Sequence, residues 1–315
     1  MILIYLCLIT AVAWFSPEYT YMDEEYPYWL QQKHYIFANA DKAEFLFLGD
    51  SRAKMGIIPR IIHDKAYNLA LGGATPLEMY YTLKIYLEHH PKPLKIIIAF
   101  APIHYTQMEC WEKRTLYFHY LPEEFAYEAQ KQIFLSNGIG KKQQIKDWVE
   151  YYQYHYYLPT KYMSTILGTC MMNGKRNIEI YNQCVYNKGY WENPKKWDGE
   201  GLNNGAKARV FLLSNCCDFY IRKLLRLCAK NEIPTYIEQM PENKTNFDAL
   251  KTSGYLDMYE KYIKSLSGIK CIHVNPYIPV YDDKFFADAS HLNIAGAEKF
   301  SQEMKSKYFK TMLNM

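Results

Sequence analysis

Two short stretches of this 315-residue chain, far apart in sequence, carry residue types that together can do nucleophilic chemistry. Gly49-Asp50-Ser51 places a serine hydroxyl directly behind the apolar run 45–48 (FLFL). Asp288-Ala289-Ser290-His291 places a carboxylate three residues ahead of an imidazole. A carboxylate at that offset can turn back and accept the Nδ1 proton of the histidine. The tautomer is then fixed, and Nε2 is left as a base for a serine hydroxyl. Singly, each stretch is commonplace: the first is also an ordinary turn with an N-cap, the second an acidic loop with a histidine at a helix start. Together they outline a triad of Ser51, His291 and Asp288. A third stretch, 68–73 (NLALGG), offers at Gly73 an unobstructed backbone N–H beside that of Ser51, the kind of donor pair a developing oxyanion needs.

The surrounding pattern supplies the scaffold. From about residue 41, short apolar runs alternate with helical periodicity: strands at 45–48, 66–70, 94–100, 235–237 and 271–274. A helix follows Thr75, which with Glu78 makes a capping box and stops before Pro91. Further helices are expected near 208–231, with Val210, Leu213, Cys217, Ile221, Leu224, Leu225 and Cys228 inward, near 250–265, and from Asn293, with Ile294, Ala297 and Phe300 on one face. The alternation predicts an α/β domain over 41–315, a doubly wound, flavodoxin-like parallel sheet flanked by helices. Its sequence is interrupted at about 105–205 by a Tyr-rich, mostly helical insertion. In such a sheet a serine at the carboxyl end of a strand faces the ligand crevice.

At these residues the chain resembles the SGNH/GDSL hydrolase superfamily. Gly49-Asp50-Ser51 is similar to that family's first block, 68–73 to its second, and Asp288-x-x-His291, with Gly296 behind it, to its last. The resemblance covers roughly 41–105 and 206–310. It implies Ser51 as nucleophile, His291 as base, Asp288 as its orienting partner, and the amides of Ser51 and Gly73 as an oxyanion hole. One departure stands out: where the family's third block has a Gly-x-Asn, this chain reads Ala101-Pro102-Ile103-His104. Either the oxyanion hole has fewer donors, or His104, Arg52 or a backbone amide takes the place of that Asn; His104 and Arg52 are also the candidates for a substrate pocket. With an apolar N-terminus, the missing Asn makes the chain more similar to divergent extracytoplasmic members that work beside membrane-bound O-acyltransferases. The resemblance therefore implies acyl transfer to a cell-envelope polysaccharide with such a membrane partner. Ester hydrolysis on a glycan or lipid, and a non-catalytic polysaccharide-binding accessory role, are the alternatives.

Composition bounds the rest. Hydrophobic residues make up 49% of the chain, enough for a sizeable core, and a formal net charge of +4 with both signs well mixed argues against a nucleic-acid partner. Residues 1–15 carry no charge, and acidic Asp23-Glu24-Glu25 follows. That order is read as a membrane anchor or signal segment with the catalytic domain outside the cytoplasm. The eight cysteines show no metal-ligand spacing, and no metal or organic cofactor is implied; in an oxidising compartment Cys110, Cys170 and Cys184 are the candidates for pairing. The 31 tyrosines suit either a core with wet edges or a surface that stacks on sugars, and 151–157 (YYQYHYY) is the densest run. Asn243-Lys244-Thr245 matches the glycosylation acceptor pattern.

Overall fold

Five short apolar segments form one parallel sheet in a computed structural model, which describes residues 23–38, 43–108, 110–156, 173–193 and 210–308 and positions 4, 7, 8 and 11. The strands are β1 (Phe45–Gly49), β2 (Ala66–Asn68), β3 (Lys95–Ala99), β4 (Thr235–Glu238) and β5 (Ile272–Val274), in spatial order 2-1-3-4-5. In register, Phe47 sits opposite Asn68 on one side and Ile97 on the other, and Ile98 opposite Ile237. The helices that matter for the site are α1 (Ser51–Gly56), α2 (Pro76–His89), α3 (Asn215–Lys230), α4 (Tyr255–Lys264) and α5 (Ile294–Tyr308).

Both faces of the central strands β1 and β3 are covered, as their almost wholly apolar sequences require, whereas His273 of the edge strand β5 is exposed. Phe45, Phe47, Ile97 and Ala99 share a core with Ile62, Phe300 and Met304, so α5 packs on that face. The pleat turns Leu46, Leu48, Ile96 and Ile98, all buried, to the opposite face. There α2 and α3 pack on each other, with the Tyr80 and Tyr220 rings 5.8 Å apart. α2 opens on the expected capping box of Thr75 and Glu78.

Three local expectations are corrected. α3 begins at Asn215 rather than near 208, because the Ser214 hydroxyl caps it by accepting from the Cys217 amide (3.4 Å). Val210 and Leu213 therefore lie outside the helix and are exposed. The helix expected over 250–265 is two, Lys244–Thr252 and α4, parted at Gly254, whose φ of 74° only glycine adopts cheaply. Ile294 is partly exposed, whereas Ala297 and Phe300 are buried.

The chain divides into two compact units: 36–109 with 186–315, which holds the sheet, and 1–35 with 110–185. The second unit is built around aromatic rings. Trp29 is fully buried and edge-on to Tyr120 (5.1 Å), and Trp148 meets Phe134 edge-on (5.5 Å). The Trp111 indole donates to Gln130 (2.6 Å). Of the run 151–157, Tyr151 is buried and Tyr152 and Tyr156 are exposed, while Tyr157 lies outside the described residues. Cys110 and Cys184 are buried, the first accepting from the Arg114 guanidinium (3.4 Å) and the second donating to Gln31 (3.2 Å), and Cys170 lies outside the described residues. Among the described residues no helix is long and apolar enough to cross a membrane. The run 1–15 lies almost wholly outside them.

Candidate active site

The strand order turns at β1: the chain leaves it for β2 on one side and later places β3 on the other. The carboxyl ends of β1 and β3 therefore flank the crevice where open α/β sheets seat their ligands. Gly49 closes β1 there. A Cβ on it would stand 2.0 Å from the Ala99 carbonyl oxygen, so only glycine lets the two strands approach this closely before the chain turns. Asp50 is fully buried and caps α1. One of its carboxylate oxygens accepts from the Arg52 amide (2.8 Å), the other from the Ala101 amide at the end of β3 (2.5 Å). Ser51 is thus the first residue of a helix clamped to two strands, and its own amide is among those that a first helical turn leaves without an intrahelical acceptor.

Asp288 and His291 occupy a tight loop ahead of α5. The loop is closed by the Ala287 amide donating to the His291 carbonyl (2.8 Å) and by a bridge between Phe286 and Leu292. Within it the Asp288 carboxylate accepts from the amides of Ser290 (2.8 Å) and His291 (2.9 Å), and lies 2.9 Å from His291 Nδ1. His291 Nε2 is 2.8 Å from Ser51 Oγ. With Nδ1 donating to Asp288, Nε2 accepts the serine proton. Partial burial alone would push the Asp288 carboxyl up, but the hydrogen bond and charge of His291 and the two amides outweigh it and hold the group down at about 2. Asp288 therefore stays ionised wherever the protein is folded near neutrality.

The segment 68–73 is tied to the same corner. The Asn68 amide donates to the carbonyls of Ala53 (2.9 Å) and Ile57 (3.0 Å), and its oxygen accepts from Ala70 (3.0 Å). The Leu71 amide donates to the Gly49 carbonyl (3.1 Å). Gly73 follows in a buried turn with φ of 74°. His104 is buried with Nε2 3.4 Å from Asp50, and Arg52 is paired to Glu242 (2.5 Å). Burial would lower the guanidinium, but Glu242 outweighs it and raises it further. Each of these two side chains meets a buried carboxylate.

Sequence reasoning missed Glu242, Asn243 and Asn246, which follow β4. Asn243 stood out only as a glycosylation match, yet its side chain is fully buried, donating to the Ala289 carbonyl (2.8 Å) and accepting from the Asn246 amide (2.8 Å). The folded chain does not offer it as an acceptor. The usable signal was positional, since a polar cluster four residues beyond the carboxyl end of a parallel strand belongs to the crevice end of the sheet. No family model matches this chain, and no curated protein matches it in sequence.

Proposed function

We propose that this chain is a serine-dependent acyl-transfer enzyme of the SGNH/GDSL type, with Ser51 as nucleophile, His291 as base and Asp288 as its orienting partner. The observation that carries the reading is the continuous relay from Asp288 through His291 to Ser51, with contacts of 2.9 and 2.8 Å. Ser51 Oγ adds to the acyl carbonyl of the donor while its proton passes to His291 Nε2. Collapse of the tetrahedral intermediate expels the donor's alcohol, which takes that proton. A water or a sugar hydroxyl then attacks the acyl-enzyme and gives its proton to His291, which passes it to Ser51 Oγ as the bond from that oxygen to the acyl carbon breaks. The amides of Ser51 and Gly73 are the oxyanion donors in this reading.

Finer parts of the reading follow from the resemblance. The 2-1-3-4-5 strand order fits a flavodoxin-like sheet, and the Tyr-rich 105–205 is read as an insertion into it. The acceptor is a cell-envelope polysaccharide, the partner a membrane-bound O-acyltransferase, and residues 1–15 the anchor that keeps the enzyme outside the cytoplasm. Hydrolysis of a glycan or lipid ester uses the same steps with water as acceptor. The substitution of 101–104 (APIH) for the family's Asn is the feature that favours a non-catalytic accessory role instead.

The test is a fluorophosphonate probe applied to the full chain in detergent, with the adduct mapped by mass spectrometry. The expected result is one adduct on Ser51, absent in Ser51→Ala and slowed at least about 10³-fold in His291→Ala. A folded protein without that adduct overturns the enzymatic reading. Release of acyl product to added oligosaccharide rather than to water distinguishes transfer from hydrolysis.

A further inference from the structure

The catalytic loop and the nucleophile helix are joined by a buried polar chain that the acyl-transfer steps do not use. The Ala289 carbonyl, inside the Asp288–His291 loop, accepts from two side-chain amides, Asn243 (2.8 Å) and Asn246 (2.7 Å). The Asn246 amide also donates to Glu242 Oε1 (3.3 Å), and Glu242 Oε2 takes Arg52 Nη1 (2.5 Å). Arg52 directly follows Ser51. An unbroken path of polar contacts therefore runs from the residue beside the nucleophile to the residue beside the triad carboxylate. Glu242, Asn243 and Asn246 are all at most 2% exposed.

Burying an ion pair and two amides is a poor way to gain stability, because desolvation offsets most of the attraction. An apolar cluster of the same volume would hold the chain as well. What such a network supplies is geometry, since each bond has a preferred direction and length and the loop carbonyl it grips is left with one place to be. Apolar packing beside it is tight: Ala53 of α1 shares a buried cluster with Met240 and Leu292, and a Cβ added to Gly56 would stand 2.5 Å from Met240 and 3.2 Å from Leu292. Packing brings α1 and the loop together, and the polar chain sets their register.

Resting on the reading of Ser51, His291 and Asp288 as a catalytic triad, we propose that Glu242, Asn243 and Asn246 are positioning residues. They set the distance between Ser51 and His291 by holding the Ala289 carbonyl relative to Arg52. They touch neither the substrate nor the reacting atoms. Their loss lengthens or misdirects the contact from His291 to Ser51, and a displacement of about 1 Å at such a contact is worth up to about 100-fold in rate.

The experiment compares the fluorophosphonate labelling rate and the turnover of p-nitrophenyl acetate in the full chain, Asn246→Leu and Glu242→Gln. Ile263→Val, in the buried face of α4, serves as a variant destabilised away from the site. The expected result is a fall of about 10- to 100-fold in labelling and kcat for both site variants, with KM little changed, while Ile263→Val labels at the parent rate. Glu242→Gln keeps the side-chain volume, so it carries the test if Asn246→Leu does not fold. Parent-like labelling in either folded site variant overturns the positioning role alone. Labelling that falls equally in Ile263→Val also overturns it, by showing that stability is being read. A parent chain that never labels overturns the triad reading instead.

Discussion

At the level of single residues, a tightly constrained position stands two residues ahead of Ser51. Gly49 lies where the β1 backbone meets the Ala99 carbonyl, with 2.0 Å for any added methyl. Neither a backbone carbonyl nor the Ala53 methyl on the other side (2.8 Å) can retreat cheaply. Gly49→Ala should therefore push β1 off β3 at the point where Asp50 bridges them, costing about 1–3 kcal/mol by overpacking. Labelling of Ser51 should fall further than that loss of stability accounts for; urea unfolding and the probe reaction on the same sample test both. The contact of Asp288 with His291 was legible because it is local, a carboxylate three residues before a histidine, whereas the meeting of His291 with Ser51, 240 residues away, was an expectation drawn from the family resemblance. The partners of Arg52 and His104 were not legible, because Glu242 and Asp50 reach them only through the fold. At Asn243 the acceptor motif is silent on burial, and the folded chain encloses the side-chain amide completely.

Among elements, strands and helices with strong patterns were readable nearly to their ends. The run at 94–100 became β3, and the capping box at Thr75 fixed the start of α2. The errors came where a capping or breaking residue overrode periodicity. Ser214 started α3 late, although the apolar pattern extends back to Val210, and Gly254 divided one expected helix into two. The Ser214 hydroxyl satisfies an amide that would otherwise lack a partner. Ser214→Ala should thus cost about 1 kcal/mol, visible as a lower urea midpoint with an unchanged slope. A slope that changes with the midpoint would mean that more than the cap is lost.

The whole molecule contains a second, independent response to pH. In the aromatic unit His119 is held down at about 4, first by burial and then by the charges of His155 and Lys33, against the pull of the His155 carbonyl at 2.5 Å. The neighbouring His155 is lowered by burial as well. A histidine whose folded value is depressed binds its proton more readily in the unfolded chain, so stability falls as pH drops from about 6.5 towards 4 and levels off below. Asp288 acts in a different window: its depressed carboxyl stabilises the fold above about pH 4, and that contribution is lost only as pH falls towards 2. The loss from the parent between neutrality and about pH 4.5 should be on the order of 2 kcal/mol. His119→Asn, which tolerates the φ of 48° at this position, should remove most of it in thermal unfolding followed by near-UV circular dichroism. A parent and variant with the same acid sensitivity would show that other groups govern it.

The sequence distance between the two halves of the site also has a kinetic consequence. Ser51 and His291 are 240 residues apart, and β3 pairs with a strand that emerges from synthesis only after the whole 110–185 segment. Non-local pairing of this kind is slow, because a long loop must close before any contact rewards it. The Ser51 hydroxyl is therefore an ordinary alcohol throughout synthesis and early folding. It gains its base only when the last helix docks, so a nascent or truncated chain carries the serine without its reactivity. In the proposed acyl-transfer reading, covalent labelling of Ser51 becomes a clock for the final folding step rather than for chain completion.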